Sequence, residues 1–533
     1  MTKTNYTSSG SFGGFWRWLK ALVLTLVVAL LSFTADAQNV LVTATAGTTS
    51  GSYATVSAAF TAINAGTHQG AITLKVVNNT TEPGSPTALL KSASPSNYTS
   101  VLITPFGGNY TIGGTITANR AIIELNGADN VTIDGDDPTI AGTRNLTIGF
   151  STTAATIAAC IRVSSNSTLG ADGANNNTVK NCIITGNRVS AGTTVTYGIN
   201  MSNYSTTSLA TGGYSSINNR FENNLITRCY HGIWAAGASA TYPNTGLQIL
   251  NNQLGDGTTA GNIGFRGILL SYSAVSTGGA VISGNEITVG ELATGTGYAA
   301  NIAGIEVGTV NYGVTITKNY IHDIIQPNTG GYGAFGIYVT GVTNNTLMSI
   351  NNNIIRDVKM VVYQVSSTSV YIPAAIFFTA GATGVNFDHN TIVMNSQLGA
   401  GANYSSYCIN ASVSGVTFTS FRNNIIINNA VSTAAYGIFT SATTNISGAS
   451  MNNNDYYVPG GNIGYYNLSN QATFSAWKTA TGKDAASCNV NPNFVSSTNL
   501  HINGAVASLL ESGGASGTGI TTDFDGQSRP GPA

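Results

Sequence analysis

The chain has 533 residues, a formal net charge of −1 and 8% charged residues, against about 25% in an average soluble protein. A surface so poor in Lys and Arg excludes a nucleic-acid binder, which needs a basic face. Sixty-three glycines, with Asn, Thr and Ser supplying the rest of the polarity, exclude a mainly helical protein and suit one built of strands and turns.

In chain order, residues 1–37 read as a secretory signal. Arg17 and Lys20 precede the apolar run 21–33, and Ala35-Asp36-Ala37 offers a small-residue cleavage site before Gln38. The apolar run is shorter than the roughly 20 residues that span a bilayer, so the mature chain is expected to carry no transmembrane anchor. No Cys follows the site to take a lipid.

Residues 38–135 read as an N-terminal cap with lead-in strands. Val56, Ala59, Phe60 and Ile63 fall at helical spacing, with Thr55 to cap the start and Gly66 the end. Such a helix would cover the first layer of a stacked protein, whose open end needs a cap. Strands are expected at 71–77, 101–104, 121–125 and 131–133.

Residues 136–457 carry an internal repeat. Val314-Thr-Ile-Thr-Lys-Asn-Tyr-Ile321 returns as Ala280-Val-Ile-Ser-Gly-Asn-Glu-Ile287 and Val385-Asn-Phe-Asp-His-Asn-Thr-Ile392. Its last Asn forms a column: Asn224, Asn252, Asn285, Asn319, Asn353, Asn390, Asn424 and Asn454, with Cys182 one repeat earlier. The column recurs about every 34 residues, within the range of roughly 20–50 that marks solenoids and propellers. Three residues before each Asn, and two after, stand apolar and often β-branched residues such as Ile282 and Ile287. Midway between Asn motifs lies a second strand signal, as in Gly304-Ile-Glu-Val and Gly336-Ile-Tyr-Val. Each repeat therefore predicts at least two short strands joined by polar turns. In stacked coils the Asn column becomes a ladder of amide hydrogen bonds inside a turn.

This pattern resembles the right-handed parallel β-helix repeat of the pectin-lyase-like family, over residues 131–457. The resemblance implies an all-β right-handed parallel β-helix with a short N-terminal capping helix. It implies little about activity, because that fold carries lyases, hydrolases, adhesins and phage spikes alike. Asn126-Gly-Ala-Asp-Asn-Val-Thr-Ile-Asp-Gly135 is similar to the opening segment of bacterial surface β-helices, which implies an exported protein.

Residues 458–533 read as closing coils. Phe474-Ser-Ala-Trp-Lys478 predicts a short helix; Asn491-Pro-Asn-Phe-Val495 and Asn499-Leu-His-Ile502 predict closing strands. Asp523-Phe-Asp-Gly-Gln-Ser-Arg-Pro530 resembles the terminal motif of exported β-helices, in whose relatives a type IX secretion sorting domain often follows; a truncated chain is the expectation here. Of the five cysteines, Cys160, Cys182 and Cys408 replace a strand Gly or ladder Asn, so they read as small buried fillers; Cys229 and Cys488 complete the set. No spacing suggests a zinc site.

Two constellations could carry function. In Gly-Ile-x the Ile points inward and x outward. The outward column includes Trp234, Glu306, Tyr338, Phe377 and Phe439. Flat rings along a solvent-facing rod would suit the apolar faces of sugars in a polysaccharide or cell-surface glycan. That expectation falls if the rings lie covered. The second constellation is His322 and Asp323, stacked on Arg356 and Asp357 of the next coil. Two carboxylates about 5 Å apart fall within range of a retaining-glycosidase pair or a calcium site. The alternative is a surface ladder in which Arg356 neutralises two Asp residues. Asp134-Gly-Asp-Asp137 and Tyr230-His-Gly232 are weaker matches to the acids and His of polygalacturonases. The expected activity is therefore non-catalytic adhesion or carbohydrate binding through a lateral face, with a polysaccharide lyase or glycoside hydrolase as the alternative. No cofactor is expected beyond a possible calcium ion.

Overall fold

The structure, a computed structural model, describes residues 1–4 and 38–529 apart from 143, 151–156, 167–171, 189–194, 206, 291–298, 342–344, 362–370 and 399–403. The chain divides into two units, Met1–Gln38 and Asn39–Ala533. The expected signal segment falls almost entirely outside the described residues. Among the described residues no helix is long and apolar enough to cross a membrane.

The second unit is a parallel β-solenoid. Among the described residues its strands fall into three sheets of 15, 12 and 13 strands, here sheets A, B and C. One coil shows the plan: Val281–Ser283 in sheet A, Glu286–Gly290 in sheet B and Ile302–Val307 in sheet C. Successive coils pair in parallel and in register. Ile282 lies between Ile249 and Ile316, and Ile305 between Ile268 and Ile337. Each inward Ile is thereby covered above and below, and an unbroken apolar core runs from Val40 to Trp477. Full burial of one such side chain stabilises by about 1.5–3 kcal/mol. A coil without neighbours loses most of that.

The repeat motif is two strands, where alternation suggested one. The residue before the ladder position turns left-handed: φ is 57° at Asn181, 53° at Asn251, 69° at Gly284, 55° at Lys318 and 53° at Asn352. Asn and Gly adopt this conformation most readily, which explains the frequent Asn-Asn pairs. The next residue, the ladder Asn, points into the corner. Asn285 Nδ2 donates to Asn319 Oδ1 at 2.9 Å, and the same oxygen accepts from the Asn285 backbone N–H at 3.0 Å. Asn285 Nδ2 also reaches the carbonyl of Ile249 one coil back. The pattern repeats without a break from Asn224 through Asn252, Asn319, Asn353, Asn390 and Asn424 to Asn454. The ladder ends are adapted. Cys182 N–H donates to Asn224 Oδ1, and Asn454 Nδ2 donates to Asp484 Oδ1.

Winding begins before the Asn column does. His68–Val76, Thr80–Glu82 and Leu89–Leu90 already make one coil, paired with Tyr98–Pro105, Tyr110–Gly114 and Ala121–Asn126 of the next. These coils lack the Asn, so no repeat was visible in 38–135. Helix α1 (Val56–Asn64) is capped by Thr55, whose Oγ1 accepts from Ala58 N–H. The buried Glu82 carboxylate accepts from the Val56 and Ser57 N–H groups at 3.0 and 2.9 Å. It places negative charge where the helix leaves amides unpaired. Gly66, just past the helix, has φ 76°.

The C-terminal part extends the stack, where Cys488 pairs in parallel with Asp455 of sheet B, and then forms a cap and a return strap. Asn462–Tyr466 adds one more strand to sheet C and pairs antiparallel with Ser469–Gln471. A one-turn helix α2 (Thr444–Ser447) precedes it, and helix α3 (Phe474–Thr481) then lays the fully buried Trp477 over the end of the core. Segments 491–495 and 499–502 make a single antiparallel bridge, Phe494 to Ile502, against the outside of sheet B. Residues 513–529 then run back along the left-handed corner. Asn453 and Asn423 Nδ2 donate to the carbonyls of Gly513 and Ala515, and Asn352 Nδ2 to that of Thr522. His389 Nε2 lies 3.0 Å from Thr518 Oγ1.

Candidate functional site

The outer face of sheet C carries two columns of side chains where sequence reasoning found one. The expected column includes Trp234, Glu306, Tyr338, Phe377 and Phe439. Beside it, in register, run Tyr197, His231, Arg266, Ala303, Phe335, Ala374, Tyr407 and Tyr436. These residues precede the strand Gly or its substitute, so the same alignment could have found them.

The two columns bury each other over the later coils. Tyr338 is 8%, Phe377 1% and Phe439 4% exposed. They form a satellite core with Phe335, Tyr407 and Tyr436. The Tyr338 and Phe377 rings stack at 5.9 Å, and Phe439 stacks on Tyr465 at 4.3 Å. The expected solvent-facing aromatic rod is therefore corrected at these three positions. Rings spaced by one coil gain more by packing together than by facing water.

Over the earlier coils the face keeps some exposure. Tyr230, Trp234, Phe265 and Glu306 are half-buried neighbours. Tyr230 stacks on Phe265 at 4.8 Å, and the Arg266 guanidinium lies 3.8 Å from the Phe265 ring centre. Arg266 is ion-paired with Glu306. Buried beneath them, His231 meets Trp234 edge-on at 4.9 Å. Burial pushes the His231 imidazole well below its ordinary pKa, and the Arg266 charge adds to the effect, so the ring is neutral. Among the described residues the indole Nε1 of Trp234 and Nδ1 of His231 are buried polar atoms without a partner. Such atoms are costly unless something hydrogen-bonds them.

The charged constellation sits on sheet B, and register brings it together as the column alignment required. His322 pairs with Arg356 across adjacent coils. His322 Nδ1 lies 2.7 Å from Asp323 Oδ2, and Nε2 lies 3.2 Å from Glu286 Oε1. Arg356 reaches Asp323 at 3.4 Å and Asp357 at 2.6 Å, and its Nε donates to the Tyr320 hydroxyl at 2.6 Å. Lys359 and Asn395 complete the shell around Asp357 at 2.8 and 3.1 Å. Burial opposes charge on His322, but bonds to Asp323 and Glu286 outweigh it and raise the pKa. Burial likewise opposes charge on Asp323 and Asp357. Their cationic and hydrogen-bonding partners, led by His322 and by Lys359, nevertheless hold both below the ordinary carboxylate value. Glu286, Tyr320 and Lys359 were missed. Glu286 and Tyr320 both follow a ladder Asn directly, a column in which charge is otherwise rare.

Both Asp carboxylates are engaged by cations, which leaves a poor donor set for calcium. Among the described residues no three His, Cys, Asp or Glu side chains converge on a metal position. The polygalacturonase-like acids serve turns instead. Asp134 pairs with Lys180, and Asp137 accepts from Thr139 and Gly108, while His231 lies on another sheet. Cys160, Cys182, Cys229 and Cys408 are buried free thiols, and Cys488 is a half-buried one.

No protein-family model matches the chain, and no curated relative does. Among solved structures it is similar to the A-module of the mannuronan C-5 epimerase AlgE6 of Azotobacter vinelandii. That match is 14% identical, covers 74% of this chain and 93% of that one, and has a TM-score of 0.35.

Proposed function

We propose that this chain is an exported β-helix protein that binds carbohydrate without transforming it, through the open part of sheet C. The observation that carries the reading is Trp234. Its ring keeps some exposure, and Tyr230, Phe265 and the Arg266–Glu306 pair lie on the same face. Aromatic rings accept the C–H faces of a sugar, and the polar groups beside them accept and donate to its hydroxyls. Export is supported by the sequence of residues 1–37. Purified mature chain on a glycan array, followed by titration of the hits, tests the reading. Trp234→Ala is expected to weaken binding at least about tenfold (roughly 1.4 kcal/mol). Unchanged binding in that variant refutes the site. Tyr338→Ala, now a core position, is expected to lower stability instead.

The alternative is a polysaccharide lyase or hydrolase. It is favoured by one observation, the enclosure of His322 between Asp323 and Glu286 with Tyr320 and Arg356 adjoining. Such a group could move a proton. The near-complete ion pairing of the cluster favours a structural role. A polysaccharide-degradation screen decides: cleavage by the native chain that is lost in Asp323→Ala would establish the enzyme.

A further inference from the structure

A cavity of about 200 Å³ lies between the outer face of sheet B and the returning C-terminal segment. Its walls include the half-buried rings of Tyr457 and Phe494, and its apolar floor includes Ile427 and Leu500. Its polar groups are amides and hydroxyls: Asn395, Asn429, Asn491, Ser496 and Ser497. Asn429, Asn491 and both serines are exposed, so the polar side faces solvent. Among the described residues no charged side chain lines it. On the same sheet, Lys359 and Arg356 are both held by Asp357. Asn395 links the cavity to that cluster, donating to Asp357 Oδ1 and accepting from Asn429 at 3.3 Å.

We infer that this cavity is a second carbohydrate site, specific for a single uncharged pyranose ring. Three features converge. The volume falls below the roughly 300–1,000 Å³ of pockets that enclose a drug-sized ligand, which leaves room for one ring. Two aromatic walls above an apolar floor match the C–H face of a sugar, and the amides at the rim match its hydroxyls. The absence of any lining cation excludes a uronate or a sulfated sugar, because its charge would be partly desolvated without a partner. From the preceding section the inference takes the class of ligand, a carbohydrate. The site is separate, since Tyr457 lies on sheet B and Trp234 on sheet C.

The test is saturation-transfer NMR on the intact mature chain at millimolar concentrations of methyl β-D-glucopyranoside, methyl β-D-mannopyranoside and methyl β-D-glucuronide. At least one neutral glycoside is expected to bind, with the glucuronide at least tenfold weaker. Binding is expected to fall at least tenfold in Tyr457→Ala and to persist in Trp234→Ala. Asn429→Leu, an exposed change that leaves the core intact, is expected to weaken it several-fold. Equal binding of the glucuronide, unchanged binding in both Tyr457→Ala and Asn429→Leu, or no binding of either neutral glycoside overturns the inference. None of these outcomes touches the Trp234 site, which stands or falls on its own variant. Loss in Trp234→Ala with retention in Tyr457→Ala overturns this site and supports that one.

Discussion

Replacing Asn319 by Leu tests the Asn ladder, on which the register of the coils depends. Asn319 is fully buried between Asn285 and Asn353. Leu has a similar size, so the cavity contribution is small. What changes is hydrogen bonding. The Asn285 backbone N–H loses its acceptor, Asn319 Oδ1, and the Ile282 carbonyl loses the Nδ2 donor at 2.9 Å. The Ile282 carbonyl keeps its ladder partner on the next strand, so one buried group, the Asn285 N–H, is left unsatisfied, at a cost of about 1–3 kcal/mol. Asn285 Nδ2 keeps its bonds to Ile249 and Ser283 and adds nothing further. In a stacked array the loss falls on the interface between neighbouring coils rather than on one global transition. Hydrogen exchange therefore reads it best, as lost protection at the amides of Asn285 and its neighbours, alongside the denaturant midpoint. Ser349→Ala, on the outer face of the next coil, should stay within about 0.5 kcal/mol. A loss below about 1 kcal/mol for Asn319→Leu, or one equal to that of Ser349→Ala, would refute the reasoning.

Trp477→Ala removes the plug of the C-terminal end and is expected to destabilise the last coils by about 3–5 kcal/mol, read as earlier proteolysis there. Asp484 also loses the indole N–H donor at 2.8 Å, which adds to the effect. Glu82→Gln leaves one of the Val56 and Ser57 amides weakly paired and is expected to cost about 1–3 kcal/mol, read as lower α1 protection. The strap should respond to acid. Burial, with the nearby Arg529 and Arg422 charges, lowers His389 to about 4 from 6.5. Between those values a released or unfolded state binds a proton that the docked state does not, so docking weakens as pH falls. Protection of the Ala515 amide, which donates to Asn423, should drop from pH 7 to pH 5; a flat profile contradicts this. His322 acts with the opposite sign. Its raised pKa contributes stability that is full below the ordinary value of 6.5 and is lost as pH rises through the folded value. His322→Asn should abolish that upper-pH slope.

The sequence alone determined the solenoid, its period and the vertical neighbours of most residues in the repeat. Inward positions recur without exception, because a coil that misplaces one apolar residue exposes it on both faces of the stack. The same register put His322 over Arg356 correctly before any coordinates. Corners were half legible. The Asn-Asn pairs carried the left-handed turn, yet the alternation around them imitated a continuous strand. What lies outside the coils was decided by tertiary structure. Tyr338 and Phe377 have the same local sequence setting as Trp234, yet two are core and one is half-exposed. Trp234 also meets rings in the adjacent column, Tyr197 and His231, but the next coil there carries Arg266, whereas Phe335, Phe377, Tyr407, Tyr436 and Phe439 continue one packed cluster along the later coils. The return of 491–529 along the side of the rod was equally unreadable. Those contacts join residues up to 178 positions apart, and no period links them. A repeat encodes what lies directly above and below each residue, because that relation recurs in every coil. Which outer faces become covered is settled once, by long-range packing that leaves no periodic trace.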